Sequence, residues 1–384
     1  MKTKSINFQF GVYNISIITL LLTMFSCLPW RSKKSVDYVS PQTVFKINSS
    51  ENNPRNSEGD FINLKDGRIL FVYSHYYGTS SSDHATAYLA GRYSDDGGQT
   101  WSDNDEIIVE NEGGMNVMSV SLLRLHNGYI ALFYLRKNST EDCIPMMRIS
   151  KDEAKSWSEA IRCITDKQGY FVLNNDRVIQ LKDDRLLMSV ALHQLRGGKW
   201  SNKADLFCYY SDDNGLTWYS SSQVPDNTDI ITQEPGLVEM RDGRVMMYIR
   251  SSGGYQQMSF SSDRGETWSH IEASNIPSPL SPASIEKIPG SNDWLLVWNN
   301  NDGTDPVIKN KRTPLTVAIS KNEGKTWENI KNIQDDPDGF YCYIAIHFVD
   351  KNNILLGYSD GNQSKKTLLS VIDITLLNKQ WLYK

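Results

Sequence analysis

Apolar and polar residues alternate along this chain in short runs, a pattern that predicts β-strands rather than helices. Six pairs of such runs flank a turn dipeptide, as in a β-hairpin. The six hairpin segments are "LKDGRIL" from Leu64, "RLHNGYIAL" from Arg124, "LKDDRLL" from Leu181, "MRDGRVM" from Met240, "PGSNDWLLV" from Pro289 and "VDKNNILLG" from Val349. After the N-terminal region no helical period is found, so we expect an all-β protein.

A second repeat is interleaved with the first. After each of the first five hairpins comes another strand-like run and then a turn that approximates Ser-x-Asp-x-Gly-x-Thr-Trp. These turns are 50 to 61 residues apart and end at Trp101, Trp157, Trp218, Trp268 and Trp327. One unit is therefore about four antiparallel strands, and repeats of this length indicate stacked or radially arranged units.

Six such units predict a six-bladed β-propeller, which leaves only short, protected strand edges. The sixth unit lacks the turn, but "KKTLLSVIDITLL" still supplies strands. We expect the segment from Val44 to Asn48 to pair with this last unit and close the ring. A sandwich of about 24 strands is the alternative, but it does not explain units of equal length.

The repeated turns have a structural explanation. The Asp carboxylate accepts backbone N–H bonds, Gly supplies a positive φ, and the Trp packs between adjacent units. The other interpretation, metal or catalytic sites at the Asp residues, requires groups in separate blades to act together. Such turns are called Asp boxes, and five in one chain resemble the sialidase-type propeller superfamily. That superfamily includes non-enzymes, so the boxes indicate the fold and not the chemistry.

The N-terminal region predicts export. Lys2 and Lys4 precede the apolar run "VYNISIITLLLTMFSC", which is too short for a confident membrane span. The run ends at Cys27 and resembles a loose lipoprotein cleavage site, with ordinary signal-peptide cleavage as the alternative. We therefore expect a signal peptide at 1–27, a tether at 28–45 and one propeller at 46–384, in the periplasm or at the cell surface, lipid-anchored or otherwise secreted.

Composition narrows the function classes. A net charge of −5 and no Lys/Arg-rich stripe argue against nucleic acid as a partner. Ten Trp and nineteen Tyr suit strands and stacking on sugars. The histidines have no paired spacing, so we expect no metal and no cofactor. The remaining cysteines are expected to be buried thiols rather than disulfides. They are Cys143, Cys163, Cys208 and Cys342.

Three arginines interrupt the strand pattern: Arg55 before the first inner strand, Arg250 at the end of "VMMYIRS" and Arg312 at the start of "RTPLTVAIS". Each one alone is more often part of a surface ion pair. Together they resemble the arginine triad of sialidases, which binds the substrate's carboxylate. The guanidinium fork offers paired donors to a carboxylate, so the resemblance implies a pocket for an anionic sugar.

Three further segments resemble the sialidase catalytic residues. "SSSDHATAYLAGRYSDDGG" implies Asp83 as the general acid/base, "ITQEPGLVEMRDGR" implies Glu234 as the acidic partner, and "GFYCYIAIHF" implies Tyr341 as the nucleophile. The ordinary alternatives are a solvated loop acid, a strand-end ion pair and a core tyrosine. A neutral phenol avoids the repulsion that a carboxylate nucleophile meets at a 2-keto sugar acid, and the expected outcome is retention.

The chain departs from the sialidase pattern in two places. Arg55 is not followed by Ile-Pro, and Ser74 and His75 occupy the place of a Glu-x-Arg motif. Glu58 is a candidate to orient Arg55 instead. Other polar residues near the predicted axis either recognise the glycerol or N-acyl end of the substrate or pack the central channel. They are Asn116, Asp176, Arg177 and His193.

The sequence therefore predicts a monomeric exo-glycosidase that releases terminal sialic acid, or a related nonulosonic acid, from glycans. A propeller glycosidase or lyase acting on another acidic sugar is the alternative among enzymes. A non-catalytic carbohydrate-binding propeller is the alternative from another class. We expect the protein to contact a membrane only through a lipid anchor at Cys27.

Overall fold

A computed structural model describes residues 40–384, and these form an all-β fold as predicted. The expected signal peptide 1–27 and residues 28–39 of the expected tether lie outside the described residues. Within them, β1 (Gln42–Ile47) comes first. It is followed by a four-stranded antiparallel sheet in the order β2 (Arg55–Asn63), β3 (Ile69–Tyr76), β4 (Ala87–Ser94) and β5 (Glu106–Val109). This sheet is the first unit.

The second and third units are joined in one nine-stranded sheet. The second contains β6 (Asn116–Arg124), β7 (Ile130–Ser139), β8 (Asp142–Ser150) and β9 (Ile161–Arg162). The third contains β10 (Gly169–Val172), β11 (Val178–Gln180), β12 (Leu186–Leu195), β13 (Asp205–Ser211) and β14 (Tyr219–Ser220). A single parallel pair, Tyr170 with Cys143, links them. The sequence did not indicate this link, because β10 and β11 are two halves of one interrupted first strand.

The remaining units are separate four-stranded sheets. The fourth contains β15 (Thr232–Glu239), β16 (Val245–Ser251), β17 (Tyr255–Ser261) and β18 (Glu272–Pro277). The fifth contains β19 (Ser284–Lys287), β20 (Trp294–Asn299), β21 (Leu315–Ser320) and β22 (Glu328–Gln334). The sixth contains β23 (Gly339–Phe348), β24 (Asn353–Asn362) and β25 (Ile372–Asn378), followed by a short helix, α1 (Lys379–Tyr383), that the sequence pattern did not predict.

The units follow one another in a cycle. We call β2, β6, β10 with β11, β15, β19 and β23 the first strands. Each contacts the first strand of the next unit, and β23 contacts β2. The predicted pairing at the ends of the chain is confirmed, since β1 pairs antiparallel with β25 and completes the sixth sheet. The first strands therefore bring residues that are distant in sequence close to one another.

The Asp turns connect neighbouring units as predicted. Asp96, for example, accepts hydrogen bonds from the backbone N of Gln99 and Thr100 at 3.0 and 2.9 Å. The Trp218 ring of the third unit contacts Phe133 of the second edge to face, with centroids 6.0 Å apart. In the fifth turn Asn322 takes the place of the Asp and still accepts from the Thr326 backbone.

The core is distributed between the units. One hydrophobic cluster joins Phe61 and Trp101 of the first unit to Ile374 and Leu376 of the sixth. The four cysteines of the described residues are buried and free, as expected. In this part of the chain no helix is long and apolar enough to cross a membrane.

Candidate active site

The first strands share an irregularity that shapes the site. In five of the six units a residue other than glycine has a positive φ in or beside the break of the first strand. In four of these strands the pairing also shifts at that point, which marks a β-bulge. Such conformations are strained and occur often at functional sites, where a bulge changes the direction of a side chain. The five residues are Glu58, Ser119, Asp176, Glu234 and Tyr343.

Arg55 is held by Glu58 at the bulge of β2. Its Nη2 donates to the two carboxylate oxygens of Glu58 at 3.0 and 3.2 Å, and its Nε donates to the Ser57 hydroxyl at 2.9 Å. The guanidinium lies over Tyr76, with Cζ 4.4 Å from the ring centroid. Arg55 is 2% exposed. The contact expected between Glu58 and Arg55 is present, and it fixes the direction of the guanidinium.

Asp83 lies on the loop between β3 and β4. Its carboxylate pairs with Nη1 of Arg55 and remains 61% exposed. Partial burial raises the pKa of Asp83, but the charge and hydrogen bond of Arg55, and then the charge of Lys137, lower it below its ordinary value. Lys137 and Asn116 also donate to the Asp83 carbonyl, at 2.7 and 2.9 Å. Asp83 is thus an ionised carboxylate beside Arg55.

Glu234 lies at the bulge of β15 and pairs with Arg250 near the end of β16. Oε1 of Glu234 is 2.7 Å from Nη1 of Arg250, and each side chain is 11% exposed. Oε2 of Glu234 is buried and has no hydrogen-bond partner, and the same is true of Nε of Arg250. A buried oxygen without a partner carries a desolvation cost. It is therefore available to accept a hydrogen bond from a phenol or a ligand.

Tyr343, at the bulge of β23, supplies a phenol to this cluster. Burial raises the pKa of Tyr343, the charge of Glu234 raises it further, and Arg312 and Arg250 act in the opposite direction. Arg312 packs beside the same ring, with Cζ 5.6 Å from its centroid. Glu234 is the carboxylate whose charge acts on this phenol, and the two arginines supply positive charge around it.

Cys342 connects the two groups of residues. Burial raises the pKa of the Cys342 thiol to about 11; Arg312 opposes this, while Glu58 and Glu234 add to it. Because the charges of Glu58 and of Glu234 both reach this one buried thiol, the Arg55 group and the Glu234 group both lie near Cys342. The structure therefore brings together six predicted residues: Arg55, Glu58, Asp83, Glu234, Arg250 and Arg312.

Tyr341, which the sequence predicts as the nucleophile, does not join this cluster. It is 3% exposed and belongs to a hydrophobic core between the fifth and sixth units. Its ring centroid is 6.3 Å from that of Tyr358. Burial, followed by the charges of Asp360 and Asp336, raises its pKa. In a regular strand residues 341 and 343 share one face, but the positive φ of Tyr343 removes that equivalence.

A signal in the sequence identifies Tyr343 once the bulges are known. It precedes Val349, the first residue of the sixth hairpin segment, by six residues. The same spacing separates Glu58 from Leu64 and Glu234 from Met240. The register of the repeat, rather than the local motif, thus marks the residue that faces the site.

Asp176 and Arg177 pack within the ring instead of joining the cluster. Oδ2 of Asp176 accepts from the Ile346 backbone N at 3.0 Å. Arg177 is 2% exposed and donates to the Ala283 carbonyl at 2.6 Å and to the Tyr248 hydroxyl at 3.3 Å. These bonds hold both side chains inside the fold and away from the cluster, although Nε of Arg177 is buried without a partner and Asp176 also lines a cavity.

His193 lies at the border of the cluster. Its Nδ1 is 2.8 Å from the Ser201 carbonyl, and its ring stacks on Trp200 with centroids 4.7 Å apart. Burial lowers the pKa of His193, whereas Glu234 raises it and Arg250 lowers it. His193 is therefore near the Glu234 side of the site, and Trp200, which the sequence reasoning did not single out, is 50% exposed beside it.

The two unusual residues of β3 are engaged away from Arg55. The Ser74 hydroxyl accepts from the Ser119 backbone N at 2.9 Å, and His75 pairs with Asp105 at 2.9 Å.

A cavity of about 440 Å³ lies farther along the first strands, between Asp60, Asp176 and Glu286. None of the six clustered residues lines it. Among the described residues no group of three or more His, Cys, Asp or Glu is arranged to hold a metal ion.

The chain has recognisable relatives. Residues 76–369 match the family model described as a BNR repeat-like domain. A sialidase of Bacteroides fragilis is 25% identical over 223 residues, which cover 55% of this chain and 38% of that protein. A sialidase of Clostridium perfringens is 28% identical over 236 residues, which cover 55% of this chain and 60% of that protein. The matches thus span about two fifths to three fifths of these relatives.

The fold is also shared with a solved structure. The intramolecular trans-sialidase from Ruminococcus gnavus superposes with a TM-score of 0.68 at 15% identity, over 88% of this chain and 97% of that one. At this identity the likeness concerns the fold alone. The family model, in contrast, spans most of the chain and four of the six clustered residues, all except Arg55 and Glu58. The chain belongs to the BNR repeat-like domain family.

Proposed function

We propose that this protein is a sialidase-like exo-glycosidase that releases terminal sialic acid, or a related nonulosonic acid, from glycans with retention. The observation that carries the proposal is that Arg312 packs beside the Tyr343 ring while Glu234, paired with Arg250, places its charge near the same phenol. The cyclic contacts of the first strands support a six-bladed propeller as the framework. We also propose the cell envelope as its location, with Cys27 as the lipid anchor.

The arginines account for the choice of an acidic sugar. Arg312 forms no ion pair with a carboxylate among the described residues, and Arg250 keeps its Nε unpaired. Arg55 is already directed by Glu58. Three guanidinium groups around one place favour a ligand carboxylate, because each offers a charge-assisted fork of donors.

In the first step, Glu234 takes the proton of Tyr343, and the phenolate oxygen attacks the anomeric carbon. The glycosidic bond breaks as Asp83 protonates the leaving oxygen. In the second step, Asp83 takes a proton from water, the water oxygen attacks the anomeric carbon, and the bond to Tyr343 breaks. Glu234 returns the proton to the phenol. Two displacements at one carbon give retention.

The pairing of Asp83 with Arg55 fits this sequence. A substrate carboxylate would compete for Nη1 of Arg55, which Asp83 now occupies. Once Asp83 loses that partner, its pKa rises, because the cation that most lowers it is neutralised. Substrate binding would thus convert Asp83 from an ionised partner of Arg55 into a proton donor.

A pair of tyrosine variants tests the proposal. Tyr343→Phe removes the nucleophilic oxygen, so hydrolysis of a fluorogenic sialoside should fall by at least about 10³-fold while the ligand still binds. Tyr341→Phe is the matched control two residues away and should retain activity within about threefold, because its hydroxyl lies in the core. The reverse order of losses would remove Tyr343 from the mechanism. Saturable binding of the sialoside without hydrolysis by the unaltered protein would instead support a carbohydrate-binding propeller.

A panel of other acidic-sugar glycosides, assayed in parallel, addresses the substrate class. Cleavage of a uronic acid glycoside with no cleavage of the sialoside would support the alternative glycosidase or lyase. Appearance of an unsaturated product would identify a lyase.

A further inference from the structure

A buried lysine lies beside the Asp83 loop. Lys137, on β7, is 2% exposed, and its Nζ donates to the Asp83 carbonyl at 2.7 Å. The ring centroid of Tyr170 is 5.4 Å from the same atom. Lys137 forms no ion pair with a carboxylate in the described part of the chain. An ammonium group buried without a counter-ion is costly, so its location next to a candidate catalytic residue is informative.

Asn116, on β6, holds the same loop at a second point. The side chain is fully buried, and its Nδ2 donates to the carbonyls of Asp83 and Ala85 at 2.9 and 2.7 Å. The Asp83 carbonyl therefore accepts two hydrogen bonds, one of them from a charged donor and correspondingly stronger. Residues on both sides of Asp83 are exposed. Lys137 and Asn116 thus fix one point in an otherwise exposed loop.

We propose that Lys137 and Asn116 are positioning residues that keep the carboxyl group of Asp83 at the glycosidic oxygen after the substrate takes over Arg55. This inference rests on the proposed acid/base function of Asp83. The Asp83 side chain is held by its ion pair with Arg55, and the Arg55 guanidinium is the group that a substrate carboxylate would bind. The two main-chain hydrogen bonds then remain to hold Asp83, and catalysis requires such groups to be held closely.

Lys137 also contributes charge to the surroundings of Asp83. The other titratable groups that interact with Asp83 are Arg55, Glu58, Tyr76, His84, Cys143 and Tyr170. His84 is exposed, and a substrate carboxylate would neutralise Arg55. Lys137 is then the buried cation that remains, and it limits how far the pKa of Asp83 rises. Without it that pKa rises, Asp83 stays protonated to higher pH, and the alkaline limb of the kcat profile moves upward.

The leaving group provides the test. Lys137→Met and Asn116→Ala are assayed on sialyl-lactose, whose leaving group needs protonation, and on a 4-nitrophenyl sialoside, whose leaving group does not. We expect kcat to fall about tenfold to a hundredfold on the former and within about threefold on the latter, with KM nearly unchanged. Only Lys137→Met should also shift the alkaline limb. Lys151→Met, at an Asp turn, is the control and should match the unaltered protein.

Equal losses on both glycosides would overturn the proposal, since they would indicate general damage rather than loss of a positioned acid. Thermal unfolding identifies a variant that fails to fold. If Lys137→Met does so, Asn116→Ala, which leaves the lysine bond in place, carries the same comparison. Failure of the unaltered protein to cleave either glycoside would contradict the proposed function itself, so the two failures are distinguishable.

Discussion

At the scale of single residues, the site depends on strained backbone at the bulges of the first strands. Glu234 and Tyr343 have φ values of 43° and 56°, which cost free energy in residues other than glycine. Because of this backbone conformation, the Glu234 carboxylate and the Tyr343 phenol turn toward the arginines, although successive side chains in the rest of these strands point to alternate faces. Gly59 next to Glu58 belongs to the same arrangement, because a Cβ there would come within 2.3 Å of the Phe71 ring.

Arg312 provides the residue-scale prediction. Lysine in its place keeps the charge but loses the fork of donors, so Arg312→Lys should cost about 2 kcal/mol of transition-state stabilisation, roughly thirtyfold in kcat/KM on a sialoside. Arg244→Lys is the control, because that arginine pairs with Asp242 on the surface. An Arg312→Lys variant with the kcat/KM of the control would exclude Arg312 from the site.

The arginines, Glu58, Asp83 and Glu234 could be predicted from the sequence because their positions in the repeat and the resemblance to sialidases agree. The resemblance to sialidases implies Tyr341, and the strand pattern does not separate it from Tyr343, because a regular strand gives both residues the same face. The bulge that separates them depends on backbone conformation, which no residue type in "GFYCYIAIHF" specifies. The sequence could not decide whether Asp176 and Arg177 bind a ligand or pack inside the fold, because the burial of their side chains distinguishes the two roles and the sequence does not specify it.

At the scale of elements, the hairpins and Asp turns were predictable because each is encoded locally. Turn dipeptides with Gly or Asn and alternating apolar runs fix the strands, and the Asp turn fixes where each third strand ends. The single Tyr170 and Cys143 pair that joins two sheets was not predictable. It depends on the break between β10 and β11, which follows from the conformation around Asp176 and not from a turn motif.

Two adjacent acids in the first Asp turn give the element-scale prediction. Asp96 accepts from the backbone N of Thr100 at 2.9 Å and from its hydroxyl at 2.7 Å, whereas Asp95 is exposed. Asp96→Ala should lower the free energy of unfolding by about 1 to 3 kcal/mol at pH 7, measured with denaturant. Asp95→Ala should change it by less than about 0.5 kcal/mol.

The effect of Asp96 should depend on pH. Burial opposes the charge of Asp96, but the hydrogen bonds from Thr100 outweigh it and lower the pKa below its ordinary value of 3.8. A carboxyl group whose pKa is lower in the folded state stabilises the folded protein at pH values above its pKa in the unfolded state. This stabilisation disappears as the pH falls through the pKa in the folded state. The difference between Asp96→Ala and the unaltered protein should therefore narrow below about pH 4. A difference that is constant from pH 7 to pH 3 would contradict this account.

At the scale of the whole molecule, the fold depends on joining its two ends. β1 pairs with β25, and Lys46 pairs with Asp373 at 2.8 Å and Asp360 at 3.0 Å. Phe45 stacks near Trp101 of the first unit, with centroids 6.3 Å apart. β1 thus belongs to the sixth sheet by hydrogen bonding and contacts the first unit by packing. It therefore joins the two ends of the described chain, which no single unit could do.

Removal of β1 tests this closure. A chain that begins at residue 49 would leave β25 as an unpaired edge strand and expose apolar surface around Trp101, so we expect a lower unfolding temperature and self-association compared with a chain that begins at residue 40. Because β1 pairs with β25 through its backbone and packs Phe45 against Trp101, a synthetic peptide of residues 40–48 should bind and restore the unfolding temperature in a concentration-dependent way. The same peptide with Phe45→Asp and Ile47→Asp should neither bind nor restore the unfolding temperature. Equal unfolding temperatures for the two chains would mean that contacts between the first strands hold the units together, and that the joining of the ends contributes little to stability.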